Sequence, residues 1–172
     1  LLIVGHLAES LGQEWIFKDE PTAIGSQKNP EVSISNGELT ILVEVKSPRY
    51  HDYQNKRVNS GLQIPSRINN GFKDIVESVF GTKAALPRDN IVKDFLISAN
   101  EKFKYFKIND KNVLSVLVIV WDDFIYEPIS ALKNDFTGLI TEQSYFQNNG
   151  KVVKFEYIDN IILLRPLITI SN

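Results

Sequence analysis

Apolar residues recur at helical spacing in three parts of the chain. They repeat every four residues between Ile3 and Leu11, which predicts an amphipathic helix over 1–12. The same spacing predicts a helix over 68–79, with a glycine just after it as a stop, and a longer helix from about 90 onward. The apolar face of this longer helix consists of Val92, Phe95, Leu96, Ala99, Phe103 and Phe106.

Strand patterns lie between these helices. Short apolar or alternating runs predict strands over 15–17, 31–35 and 38–46. The last two flank an Asn-Gly pair, which is a strong hairpin signal. The nearly continuous apolar run over 113–121 is typical of a central strand that is covered on both faces. The tail predicts a short helix over 128–134.

The end of the chain completes the predicted architecture. Two strands are predicted over 151–158 and 160–169, with Asp159 and Asn160 forming a tight turn between them. A strand, a helical crossover and a second strand favour parallel pairing. We therefore predict an α/β fold, with a mixed β-sheet flanked by helices in the order α-β-β-β-α-β and a strand-rich C-terminal tail. The whole chain is predicted to be one domain, with its core over 1–121 and an elaboration over 122–172.

The hairpin separates polar from apolar side chains. Because strand residues alternate between faces, Glu44 and Lys46 share one face of the second strand. A two-residue turn at Asn36-Gly37 would pair Glu31 with Leu42 and place it diagonally from Glu44 on that same face. The other face is apolar and carries Val32, Ile34, Ile41, Val43 and Val45. The hairpin thus brings two carboxylates and one ammonium group together.

Composition narrows the kinds of protein that remain. The 172 residues are 43% hydrophobic and 23% charged, as in an ordinary globular domain. The chain has no Cys and only two His, which excludes disulfide scaffolds, thiolate zinc sites and Cys nucleophiles. No apolar run approaches the ~20 residues of a membrane span. We expect a cytoplasmic protein with no membrane partner.

Charge is distributed unevenly along the chain. Residues 1–45 hold 2 Lys and 7 acidic residues, a net charge of -5. Residues 46–107 hold 12 Lys or Arg and 6 acidic residues, a net charge of +6. Residues 108–172 hold 5 basic and 8 acidic residues, a net charge of -3. Acids that hold a cation beside a basic surface that holds phosphates would suit a metal-dependent enzyme acting on a polyanion. Chance variation along the chain is the alternative.

The hairpin carboxylates suit a hard metal ion. Mg²⁺ prefers oxygen ligands and keeps several waters, and Mn²⁺ is an alternative. Such a metal polarises a phosphoryl oxygen and lowers the pKa of a bound water, while a neighbouring Lys stabilises developing negative charge. The plainer interpretation of Glu44 and Lys46 is a solvated strand face with an exposed ion pair, which contributes little stability.

The spacing of these residues resembles a known motif. Pro30-Glu31, then twelve residues, then Glu44-Val45-Lys46 is similar to the PD-(D/E)XK motif of restriction-endonuclease-like nucleases. That family's core is a helix, three strands, a helix and a strand, and the resemblance covers about residues 1–121. It implies that Glu31 and Glu44 are metal ligands and catalytic residues and that Lys46 is the catalytic lysine.

The resemblance also implies further ligands, and the chain departs from the family's motif at one position. The Val45 carbonyl would be another metal ligand, and Glu9 matches the acid that many members add from their first helix. The family usually has Asp where this chain has Glu31, so Asp19 or Glu20 is an alternative source of that ligand.

Basic residues in the central segment are candidates for DNA contact. The predicted phosphate-binding residues are Arg49, Lys56, Arg57, Arg67, Lys102 and Lys104. For Lys102 and Lys104, a solvated helix face is the alternative. Tyr50 and Tyr53 are candidates for stacking on bases. Asp122 and Asp123, after the central strand, fit either an active site or a turn.

Three functions remain open at this point. The first is a Mg²⁺-dependent (endo)deoxyribonuclease in which water attacks the phosphodiester. The second is a catalytically inactive nuclease-like module that binds nucleic acid or a protein partner. The third is an acidic interaction protein with no nucleic-acid role. A homodimer and a monomer are both compatible with the sequence.

Overall fold

The computed structural model describes residues 2–23, 28–48, 62–63, 70–85, 89–122 and 125–165. The helices are α1 (Leu2–Ser10), α2 (Asn70–Phe80), α3 (Asp89–Asn109) and α4 (Tyr126–Lys133). The strands are β1 (Ile16–Asp19), β2 (Val32–Ser35), β3 (Thr40–Lys46), β4 (Leu62–Gln63), β5 (Ala84–Ala85), β6 (Val113–Val120), β7 (Gln147–Asn148), β8 (Lys151–Val152) and β9 (Asn160–Leu164). None of the described helices is both long and apolar enough to span a membrane.

The chain forms two compact units, each assembled from separated segments. Unit 1 consists of 1–46, 95–120 and 155–164, and unit 2 consists of 47–94, 121–154 and 165–172. β9, from the tail, belongs to unit 1. The single domain with its core over 1–121 stays a prediction. The candidate site lies in unit 1.

Unit 1 contains a mixed five-stranded sheet in the order β1-β2-β3-β6-β9. β1, β2 and β3 pair antiparallel, and β3, β6 and β9 pair parallel. The predicted α/β class and the parallel pairing across a helical crossover are therefore confirmed. The main-sheet strands and the helices α1 and α3 follow the chain order α-β-β-β-α-β, with β9 added.

The hairpin between β2 and β3 forms with a different register from the predicted one. Ser35 pairs with Thr40 and Val32 with Val43, so the predicted pairing of Glu31 with Leu42 is wrong. The turn lies one residue later than predicted: Asn36 N–H donates to Leu39 O at 3.3 Å across Gly37-Glu38. Gly37 has φ +91°, a conformation that glycine adopts readily. Because strand faces repeat every two residues, this shift by two residues keeps each side chain on its predicted face.

One face of the unit 1 sheet is mainly apolar. Its buried cluster consists of Val32, Ile34, Val43, Val116 and Val118. Leu7 and Leu11 pack against this cluster, as do Trp15 and Phe17. We call this side the α1 face. The predicted apolar side of the hairpin is confirmed, and the helical spacing of Leu7 and Leu11 explains which side of α1 is covered.

The opposite side of the sheet, which we call the α3 face, mixes apolar and polar residues. Leu42 and Leu117 are fully buried there, and so are Glu44 and Ser115. Two lysines of α3 contact this side, Lys102 at Glu44 and Lys107 at Asp159. The α3 residues Leu96, Ala99 and Phe103 are fully buried, as the helical spacing predicts.

The C-terminal tail differs from its prediction. A strand over 151–158 is wrong, because β8 ends at Val152 and the chain is irregular until β9. Asp159 and Asn160 form no hairpin turn; β9 instead pairs parallel with β6. The irregular segment is held by backbone bonds from Asp159 to Ser115 (3.2 Å) and from Tyr157 to Asn100 Oδ1 (3.0 Å).

Unit 2 contains α2, α4 and two small ladders. β4 and β5 pair parallel, and β7 and β8 form a hairpin. Gly81 (φ +62°) follows α2, at the predicted stop. The predicted helix over 128–134 is confirmed as α4, whose buried side carries Pro128, Ala131 and Leu132.

Candidate functional site

The centre of the candidate site is Glu44, a carboxylate inside the sheet. β3 places Glu44 beside Leu117 of β6, on the α3 face. Its side chain is 0% exposed, so the plainer interpretation of a solvated strand face with an exposed ion pair is wrong. A buried carboxylate is unfavourable unless cations or hydrogen-bond donors compensate it.

Two lysines compensate the charge of Glu44, and both do so at the same oxygen atom. Lys102 Nζ donates a hydrogen bond to Glu44 Oε1 at 2.6 Å. Lys46 Nζ forms an ion pair with that Oε1 at 2.7 Å. Lys46 shares the face of Glu44 because it lies two residues further along β3. Lys102 comes from α3, so the strand and the helix each supply one cation to Glu44.

The second oxygen of Glu44 has no such partner. Among the residues that the structure describes, nothing donates a hydrogen bond to Glu44 Oε2, although this atom is buried. Buried polar atoms are nearly always bonded, and an exception calls for an explanation such as an ion. The carboxylate therefore has one oxygen held by two ammonium groups and one oxygen available as a ligand.

Glu31 is the second carboxylate of the site. The pairing of Val32 with Val43, carried one residue further, places Glu31 opposite Glu44. The backbone of Glu31 is fixed by Glu20, whose N–H donates to Glu31 O at 2.8 Å and whose φ of +40° is left-handed. Burial and the charge of Glu44 raise the pKa of the Glu31 carboxyl, against the opposing influence of the two lysines.

The four other residues that are candidates for metal ligands have different surroundings. Glu9 is exposed on α1, the helix that packs against the other face of the sheet. The Val45 side chain packs against the apolar cluster on that same face, whereas the predicted ligand is the Val45 carbonyl in the backbone of β3. Asp19 pairs with Val32, which places its side chain away from Glu44, and Glu20 is exposed. Their predicted roles as ligands stay predictions.

The predicted DNA-binding residues divide into two groups. Arg49, Lys56, Arg57 and Arg67 lie outside the described residues, and so do Tyr50, Tyr53 and Asp123. Lys104 is exposed on α3, and Asp122 is exposed after β6. The alternative of a solvated helix face is wrong for Lys102, because this side chain is half-buried against Glu44.

Lys102 is the residue that sequence reasoning placed incorrectly, yet the sequence held a signal for it. It follows Ala99 by three residues and precedes Phe103, and both of those side chains are fully buried. Residues three apart are neighbours on a helix surface. A lysine at the margin of a buried stripe is placed to reach a carboxylate inside the sheet.

The site fits a hard cation that is only partly held by protein. Within the described ranges, no group of three or more His, Asp or Glu side chains could hold a metal ion. Mg²⁺ commonly binds through one or two carboxylates and takes its other ligands from water and substrate phosphates. Glu31 and the free Oε2 of Glu44 match that smaller ligand set.

Comparison of the chain with protein-family models, with curated proteins and with solved structures finds no match. The similarity to restriction-endonuclease-like nucleases therefore rests on the motif residues and on the order of the helices and strands.

Proposed function

We propose that this protein is a metal-dependent phosphodiesterase that cleaves DNA, with a core of the restriction-endonuclease-like type. The observation that carries the proposal is the arrangement around Glu44. One of its carboxylate oxygens is neutralised by two lysines, the other is buried with no donor among the described residues, and a second carboxylate stands opposite. Because buried polar atoms are nearly always bonded, an unbonded carboxylate oxygen beside a second carboxylate supports a site for an ion.

Each residue of the site has a separate task in this proposal. Glu31 and Glu44 Oε2 hold the cation. Lys46, at the end of β3, contacts the scissile phosphate and neutralises charge that develops on its oxygens. Bound Mg²⁺ supplies polarisation of the phosphoryl oxygen and a more acidic water.

DNA is the proposed substrate because of charge. Segment 46–107 carries a net charge of +6 in a chain whose total is -2. Phosphate contacts made by Lys and Arg give an affinity that falls as salt rises. Lys104, exposed on the helix that holds Lys102, is a described member of this basic segment.

Cleavage of supercoiled plasmid and of single-stranded DNA, with Mg²⁺ or Mn²⁺, tests the proposal. The native chain should cut only with metal, and Glu44→Gln and Lys46→Ala should each lower the rate by about 100-fold or more, the scale of losing a charge-stabilising group. Lys111→Ala serves as the control, because Lys111 is exposed beyond the opposite end of β6.

Metal-dependent cleavage that both variants retain would reject the assigned site. No cleavage by the native chain, with salt-sensitive DNA binding retained, would instead identify the inactive nuclease-like binding module.

A further inference from the structure

Glu44 has more positive charge around it than its own neutralisation requires. One lysine would balance one carboxylate, yet both Lys46 and Lys102 lie within 2.7 Å of Oε1. Bringing a second ammonium group into a half-buried position has a desolvation cost. Glu31, opposite Glu44, is a second carboxylate that the same two lysines influence. What charge balance does not explain is that both lysines contact the same oxygen of Glu44.

The two lysines differ in how firmly the fold holds them. Lys102 lies within α3, between the fully buried Ala99 and Phe103, and it donates a hydrogen bond to Glu44. Lys46 is the last residue of β3, where it is paired with Ile119 of β6 but with no residue of β2, since the ladder to β2 ends at Val32 and Val43. The helix lysine is set by core packing, whereas the strand lysine stands at the end of its ladder.

We infer that Lys102 is a positioning residue that holds the buried Glu44 carboxylate through Oε1, so that Lys46 is free to leave this oxygen for a phosphate. The second half of this inference rests on the proposed function. Lys102 keeps Glu44 neutralised when Lys46 moves. By holding Oε1, it also keeps Oε2 in place as a ligand for the cation that Glu31 and Glu44 are proposed to hold.

Removal of Lys46 and removal of Lys102 should therefore have different effects on the stability of the fold. Without Lys46, Glu44 still has its partner on α3, and the fold should lose little stability. Without Lys102, Lys46 becomes the only cation among the described residues at this fully buried carboxylate and is retained there. Without both, the carboxylate is buried with no counter-charge, which is strongly destabilising.

Urea unfolding of the full chain, without metal or DNA, tests the first half. The variants are Lys46→Met, Lys102→Met and the double variant, with Lys111→Met as the matched control. We expect Lys102→Met to lower the unfolding midpoint more than Lys46→Met, and the double variant to lower it by more than the sum. Adding Glu44→Gln to the double variant should recover most of the loss, because a neutral amide needs no cation.

Additive losses in the double variant would overturn the inference. So would a larger loss from Lys46→Met than from Lys102→Met. If the double variant does not fold, the triple variant with Glu44→Gln decides: recovery of folding supports the role of Lys102, and failure to recover contradicts it.

Single-turnover cleavage at saturating DNA and Mg²⁺ tests the second half. Lys102→Met should lower the rate constant by about tenfold, the scale of one hydrogen bond to a charged group, while DNA affinity stays within about twofold. Lys102→Arg should restore the rate, because arginine supplies the charge and the donor. A native rate in Lys102→Met, or no rescue by arginine, would overturn this half.

The two arms separate failure of this inference from failure of the proposed function. A native chain that cleaves no DNA rejects the nuclease and the phosphate role of Lys46. The unfolding comparison still decides whether Lys102 holds Glu44.

Discussion

The α1 face and the α3 face are built from alternate residues of the same strands, yet they differ in chemistry. The α1 face is a continuous apolar cluster, whereas the α3 face buries Glu44 and Ser115 among its apolar residues. Each buried polar group there has a partner from another element: Lys102 for Glu44, and Asp159 for Ser115. One face therefore supplies stability, whereas the other carries an electrostatic cost that the proposed function would explain.

The largest expected effect comes from the α1 face. Ile34 is fully buried in its cluster, so Ile34→Ala should lower the free energy of unfolding by about 3 kcal/mol. Cleavage by the molecules that remain folded should be unchanged. Urea unfolding followed by tryptophan fluorescence measures the loss. Ile16→Ala is the control, because Ile16 on β1 is 73% exposed, and an equal loss in both variants would contradict the packing described.

A smaller effect, dependent on pH, is expected at Asp159 on the α3 side. Burial alone would raise the pKa of this carboxyl, but hydrogen bonds from Lys107 and Ser115 outweigh burial and hold the pKa below its usual value. Asp159 therefore stabilises the fold above about pH 3.8, and this contribution is lost as the pH falls through the lower folded-state pKa. Asp159→Asn should cost about 1 kcal/mol at pH 7, and progressively less in acid.

Unfolding of native and Asp159→Asn protein between pH 3 and pH 7 checks this expectation, with the exposed Glu156→Gln as the control. A stability difference that does not change with pH would exclude the ionised carboxylate as the cause.

The smallest effect concerns Glu31 at the rim of the site. Because burial and the charge of Glu44 raise its pKa, Glu31 favours folding fully only below about pH 4.5, and that contribution is lost as the pH rises through the folded-state pKa. At pH 7, Glu31→Gln should therefore stabilise the metal-free protein by only a few tenths of a kcal/mol, since this carboxyl is only partly buried and solvent screens its charge. Thermal unfolding at pH 7 and pH 4 measures the change. A destabilised Glu31→Gln protein at pH 7 would indicate that this carboxylate is structural.

The two-residue alternation of side chains along the hairpin strands explains how much of the site could be predicted from the sequence. Alternation predicts that Glu44 and Lys46 share one face, and a two-residue turn adds Glu31 to that face. A register shift of two residues leaves this result unchanged. The register itself depended on which residues form the turn. Asn36 accepts hydrogen bonds from Glu38 N and Leu39 N through its side chain, and a dipeptide preference does not reveal this arrangement.

Contacts between distant segments were harder to predict. Lys102 meets Glu44 across 58 residues of sequence, at a position that depends on how α3 lies against the sheet. The predicted strand over 151–158 is wrong for the same reason. The alternation after residue 151 is typical of a strand, but Tyr157 and Asp159 bond instead to Asn100 and Ser115. Tertiary context overrides such local preference.

Binding of Mn²⁺ to the native chain, measured by titration without DNA, tests most directly the central claim that Glu31 and Glu44 hold a cation. We predict one site per chain, with its dissociation constant raised by more than about tenfold in Glu31→Gln and in Glu44→Gln, since even outer partners of a metal have effects of that size. Glu38→Gln, an exposed change in the hairpin turn, should bind as the native chain does. Equal binding by all four proteins, or no binding by the native chain, would contradict the account.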